Sequence, residues 1–180
     1  MPKIDSRFVH KKTPIFTSVI DNYEEVNTHV KKHILGLKEH YPEGVESNVK
    51  AWRSDWFTHR TTKVFDPLVN IMVSACEYVS DVYYNNFTEY QAYNFWVMVY
   101  DEGNYTEEHH HFPSEFSTVY FVDVEEDSAP LVIEGIEIKP ENGLLVLFPS
   151  ILDHSVPETK GRRIAASGNF IQVQKEPQHA

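Results

Sequence analysis

The residues best suited to chemistry in this chain are histidines. His109, His110 and His111 are consecutive within the run from Glu107 to Glu115, and His154 closes the segment Phe148-Pro149-Ser150-Ile151-Leu152-Asp153. In an extended strand residues i and i+2 share a face, so His109 and His111 can converge while His110 turns away. Two imidazoles on one face, joined by His154 from a distant strand, suit a first-row transition metal. Iron, manganese, zinc and nickel take such ligands, whereas magnesium and calcium prefer oxygen. An oxygenase site usually combines two histidines with a carboxylate. Here His111 occupies the position two after His109, which leaves three ligand sets open. They are three histidines, a set completed by Glu115 or Glu107, and two protein ligands alone.

Arg163, nine residues beyond His154, supplies a fixed cation. Strand parity puts Ala165, Ser167 and Asn169 on its face. If that face is interior, its small and polar side chains leave volume, and a guanidinium at the end of that volume is costly without an anion. A carboxylate-bearing cosubstrate fits, because guanidinium and carboxylate pair bidentately.

The elements that must position these groups follow from periodicity. Val26, Val30, Ile34 and Leu37 give one apolar stripe, predicting a helix from Asn22 to Lys38. Asp66-Pro67 reads as an N-cap and first helical position, and Leu68, Ile71, Met72, Ala75, Val79 and Val82 continue the stripe. Cys76 in that helix is expected to be a small buried apolar side chain. Residues 47–56 show no clear period and read as a loop with a short strand. Strands are predicted over Tyr93–Tyr100, Phe116–Val122, Leu131–Ile133, Ile136–Ile138, Leu144–Phe148 and Arg163–Val173, all rich in β-branched and aromatic residues. Helices followed by closely spaced strands predict a mainly β jelly roll with N-terminal helices packed outside.

The chain of 180 residues has the length of one domain, with 1–92 as mainly helical support and 93–173 as the β core. Its net charge of −11 disfavours nonspecific binding to nucleic acid or anionic membrane. One cysteine excludes an internal disulfide framework. No stretch approaches the roughly 18 apolar residues of a membrane helix, and the opening Met-Pro-Lys-Ile-Asp-Ser-Arg lacks a signal-peptide form. A cytoplasmic protein is the expectation. The tail after Gln174 is expected to be mobile, and an exposed edge strand could pair in a homodimer.

The sequence resembles the 2-oxoglutarate/Fe(II)-dependent dioxygenases, and within them a group of compact oxygenases from bacteria and their phages. The resemblance rests on Trp96-Val-Met-Val-Tyr100, on His109-His-His111-Phe-Pro-Ser-Glu-Phe-Ser117-Thr-Val-Tyr-Phe-Val122, on Gly143 to Val156, and on Arg163-Ile-Ala-Ala-Ser-Gly-Asn169. Residues Ser47-Asn48 and Trp52-Arg-Ser54 extend it over most of the chain. The sequence departs from the group's pattern at Phe112-Pro113, Thr118 and Ala165. The resemblance implies a double-stranded β-helix braced by helices, with His109 and His154 as iron ligands and His111 in place of the usual acid. Arg163 would hold the far carboxylate of 2-oxoglutarate, assisted by Tyr100 or Tyr120, with Asn169 as a further cosubstrate contact. It implies consumption of O2, release of succinate and CO2, and hydroxylation of a peptide side chain or small metabolite. Trp52, Trp56 and Tyr105 are candidates for a substrate rim.

Two other readings compete. Gly103-x5-His109-x-His111-x3-Glu115 reproduces the first cupin signature, with Glu115 as a fourth ligand, and Pro149-Ser-x3-His154 resembles the second. Such a metalloprotein would not use 2-oxoglutarate. A jelly-roll interaction module with surface histidines is the third reading.

Overall fold

The computed structural model describes residues 12–173. The leader and tail expectations concern residues outside this range. An edge strand, β1 (Phe16–Val19), precedes α1 (Tyr23–His40) and two short strands, β2 (Val49–Lys50) and β3 (Trp52–Arg53). Two 3-10 turns lead into α2 (Asp66–Tyr84). Then follow β4 (Tyr90–Tyr100), β5 (Tyr105–His109), β6 (Phe116–Val124), β7 (Leu131–Ile133), β8 (Ile136–Ile138), β9 (Leu144–Pro149), β10 (His154–Val156) and β11 (Arg163–Gln172). No described helix is long and apolar enough to cross a membrane.

The strands form a six-stranded sheet in the order β1-β9-β6-β11-β4-β3 and a five-stranded sheet in the order β2-β5-β10-β7-β8. Every ladder pairing is antiparallel. This is a double-stranded β-helix. Both helices cover the outer face of the larger sheet, burying Val30 and Ile34 of α1 and Leu68, Met72, Cys76 and Val79 of α2 against Phe95, Val97, Tyr120 and Phe170. The second core lies between the sheets and includes Trp96, Met98, Tyr100, Phe121, Phe148 and Ala165. The larger sheet is therefore buried on both faces, which is why its strands read as continuous apolar runs.

The predicted helices form, with local differences. Val82 is exposed, so the α2 stripe ends at Val79. Asp66 lies inside the first turn rather than capping it, because the preceding 3-10 turn Lys63–Phe65 already runs helically into α2. Its carboxylate still complements the helix dipole. Asn85, in the left-handed region, closes the other end. Gly143 turns the chain into β9 at φ 82, and a Cβ there would run into the Tyr23 ring, so α1 seats directly on that turn.

Candidate metal centre

The site is built where β5 and β10 pair. His154 faces His109, while Val156 faces Thr106, so β5 spends one more residue than β10 over the same span. Such a bulge re-aims side chains. Here it sends Thr106 and His109 inward and leaves Glu107 and Glu108 exposed. The chain then leaves the strand, and His111 is held by its own N–H, which donates to Ser150 O at 2.8 Å. His111 therefore joins His109 through a clipped turn rather than by continued strand parity.

The imidazoles of His109, His111 and His154 converge, with their ligand atoms within 4.8 Å of one another. At metal–nitrogen lengths of about 2.0–2.1 Å, one ion could draw them in. His109 Nδ1 lies 2.8 Å from Glu107 O and His154 Nδ1 lies 3.2 Å from Leu152 O. A carbonyl only accepts, so Nδ1 carries the proton in both rings and the Nε2 lone pair is left for a metal. Burial, reinforced by the neighbouring histidines, pushes His111 down to about 3 and His154 to about 4, and burial also lowers His109. All three are thus neutral ligands at physiological pH. Phe148 packs edge-on against His154, and Trp96 against His111.

Arg163 closes the other end of the same pocket. It is 1% exposed, its Nη1 donates to Ala129 O at 2.8 Å, and its Nε has no partner. The guanidinium lies 4.7 Å from the Tyr100 ring centroid and 5.1 Å from that of Phe121. No carboxylate pairs with it among the described residues. Burial lowers its pKa, opposed by Tyr100. The Tyr100 hydroxyl is 2.6 Å from Thr106 Oγ1. Between the two ends runs a narrow slot of about 30 Å³, lined among others by Leu131, Phe148, Val156 and Asn169.

The structure thus brings His109, His111, His154, Arg163, Tyr100 and Asn169 around one space, and Arg163, Ala165, Ser167 and Asn169 share the inward face, as strand parity predicts. It corrects other expectations. Tyr120 projects from the opposite face of β6 into the helix-side core, where its hydroxyl donates to Asn27 Oδ1 at 2.7 Å, so it has no access to the slot. Glu115 faces Tyr90, not the histidines, and Glu107 pairs with Lys50 at 3.7 Å on the outer surface. Trp52 is buried on the helix side with Nε1 donating to Tyr41 O, so it belongs to no rim; Tyr105 is exposed and Trp56 half-buried. Sequence reasoning missed Thr106, Trp96 and the Ser117–Ser150–Asn169 network. In that network Ser117 Oγ donates to Asn169 Oδ1 at 2.7 Å and lies 2.8 Å from Ser150 Oγ.

No family model matches the chain, and no curated protein matches it in sequence. Solved structures match its fold. A prolyl-4-hydroxylase from Pseudomonas putida superposes with a TM-score of 0.69 at 14% identity, covering 90% of this chain and 94% of its own. The viral collagen prolyl hydroxylase of Paramecium Bursaria Chlorella virus-1, solved with 2-oxoglutarate, gives 0.61 at 15% identity, with 87% and 94% covered. The non-heme α-ketoglutarate-dependent epimerase SnoN of nogalamycin biosynthesis gives 0.69 at 11% identity, with 93% and 86% covered. The chain has the fold of the 2-oxoglutarate/Fe(II) oxygenases, and the likeness extends beyond bacterial and phage proteins.

Proposed function

We propose that this chain is an Fe(II)- and 2-oxoglutarate-dependent oxygenase that oxidises a C–H bond of a small metabolite or peptide side chain. The observation that carries the reading is the combination of three neutral, convergent imidazoles with a buried guanidinium that has no counter-charge and a free Nε, at the far end of one slot. His109, His111 and His154 would hold the metal, and together with 2-oxoglutarate and O2 it supplies the oxidising power. The protein supplies the rest. Arg163 receives the far carboxylate, which removes the cost of its burial. Tyr100, kept protonated by burial, lines the same end with Thr106. Leu131, Phe148 and Val156 exclude water from the slot, which strengthens the ion pair. The carbonyls of Glu107 and Leu152 hold His109 and His154 in the ligating tautomer.

The test is anaerobic titration of 2-oxoglutarate into the Fe(II)-loaded protein, following the visible metal-to-ligand charge-transfer band. Appearance of the band supports the reading; tight metal binding with no band refutes it. The cupin reading draws on the all-histidine set, but its fourth ligand, Glu115, is turned away. Glu115→Ala should retain metal at the wild-type stoichiometry, measured by metal analysis; loss of metal would restore that reading.

A further inference from the structure

Arg163 is not the only large charged side chain sealed inside this chain. Arg53 is 0% exposed, and its Nε, Nη1 and Nη2 all lack a hydrogen-bond partner. In the β3–β4 pairing Trp52 faces Val99 and Arg53 faces Met98. Val99 belongs to the helix-side core and Met98 to the core between the sheets, so Arg53 is directed to the same side as the metal slot. There its guanidinium lies 3.9 Å over the Trp56 ring. Trp56 meets Trp96 edge-on at 4.7 Å, and Trp96 meets His111 at 5.4 Å. Trp96, 4% exposed and a wall of the slot, has an unpartnered indole N–H as well.

The packing behind Trp96 therefore holds four unsatisfied donor nitrogens, on Arg53 and Trp96, against one unsatisfied acceptor, Asn94 Oδ1, on the same face of β4. A cation–π contact with Trp56 does not satisfy the guanidinium N–H groups in its plane, and leaving them unpaired is costly. The acid nearest in sequence, Asp55, is exposed and accepts from Phe57 N instead. That excess of donors over acceptors, close to a candidate metal centre, suits an oxyanion.

We propose that Arg53 and Trp96 form a recess, covered by the half-buried Trp56, that binds an oxyanion of the primary substrate, which is accordingly a carboxylate- or phosphate-bearing molecule. This rests on the oxygenase reading for the word substrate, but the recess itself is testable without turnover. Arg163 holds one end of the cosubstrate and Arg53 one end of the molecule being oxidised, with the metal between them. Trp56 moves to admit the anion.

The experiment is a tryptophan-fluorescence titration with benzoate and inorganic phosphate, using benzamide as the uncharged control, on metal-free and Fe(II)·2-oxoglutarate-loaded protein. Wild type is expected to respond to the anions and not to benzamide. Arg53→Met is expected to weaken the anion response at least about tenfold, Arg53→Lys to restore part of it, and Arg163→Met to retain it. A response lost in Arg163→Met but kept in Arg53→Met would assign the anion to the cosubstrate slot and overturn the recess. No anion response in wild type would overturn it too. Were Arg53→Met poorly folded, Trp96→Phe, which removes the indole N–H together with the pyrrole ring, must still weaken anion binding, followed by calorimetry because a fluorophore is lost, and unchanged binding there sinks the idea. Failure of the oxygenase reading shows separately, as absence of the charge-transfer band with the anion response intact.

Discussion

Arg163→Met separates what Arg163 does for the fold from what it does for a ligand, because opposing contributions offset each other in the fold and none offsets the loss in the ligand. In the ligand-free chain the guanidinium is sealed against Tyr100 and Phe121 with one hydrogen bond, from Nη1 to Ala129 O, and no counter-charge. Replacing a buried charge with an apolar side chain of similar length is neutral to stabilising, by about 1–4 kcal/mol. Against this, the Ala129 carbonyl loses its donor, which costs about 1–3 kcal/mol if nothing replaces it. The two nearly offset each other, for a net change between about −2 and +3 kcal/mol in stability, each kcal/mol being worth roughly 2–4 °C in melting temperature for a chain of this size. Binding of 2-oxoglutarate has no such compensation. Loss of a hydrogen bond to a charged group costs about 1.5–3 kcal/mol, a 10- to 150-fold weaker Kd. The assays are thermal unfolding of the metal-free protein and anaerobic titration of the charge-transfer band. A variant that is clearly less stable without ligand, yet binds 2-oxoglutarate as wild type does, would refute the argument: Arg163 would then be a structural residue.

Three other outcomes are expected. His111→Asp should keep Fe(II) bound, since it restores a carboxylate to the set, and His110→Ala should change nothing; His154→Ala should weaken metal binding at least about a hundredfold, measured by metal competition. Stability of the metal-free chain should fall as pH is lowered from 7 to 5 in urea-unfolding series. The buried His111 and His154 stay neutral down to about 3 and 4, while in the unfolded chain they take up protons below about 6.5. The unfolded state therefore binds more protons over this window, and stability present above 6.5 is progressively lost as pH falls toward the folded values; a flat profile would show that the rings are not buried. Tyr120→Phe should cost about 1 kcal/mol of stability through its lost bond to Asn27 and leave 2-oxoglutarate affinity unchanged.

How far the sequence was legible depended on whether local pattern or tertiary pairing sets each feature. Arg163 through Asn169 could be phased because small and polar residues alternate there with Ile164, Ala166 and Gly168. Tyr120 could not: both faces of β6 are buried, so an apolar run carries no phase, and the tyrosine fell on the wrong side. The histidine spacing implies an extended segment, but it sets no bounds for the strand bearing His109 because Glu107 and Glu108 break any apolar alternation; pairing with β2 and β10, not propensity, makes it a strand. β1 escaped for a related reason, being short and mostly exposed at an edge. Trp96 and Arg53 are invisible as site residues in sequence because their signal is a missing partner, which only packing reveals.

The facing pair His109 and His154 has a mechanical consequence as well. These rings sit across one rung of the smaller sheet, on strands that meet only because the intervening chain has folded back. An ion held by both is a cross-link between distant segments, closing a loop whose entropy the unfolded chain keeps. Metal should therefore act as a latch on the register of β5 against β10. Its arrival ought to be felt first as slowed amide exchange along those two strands, before any substrate is present.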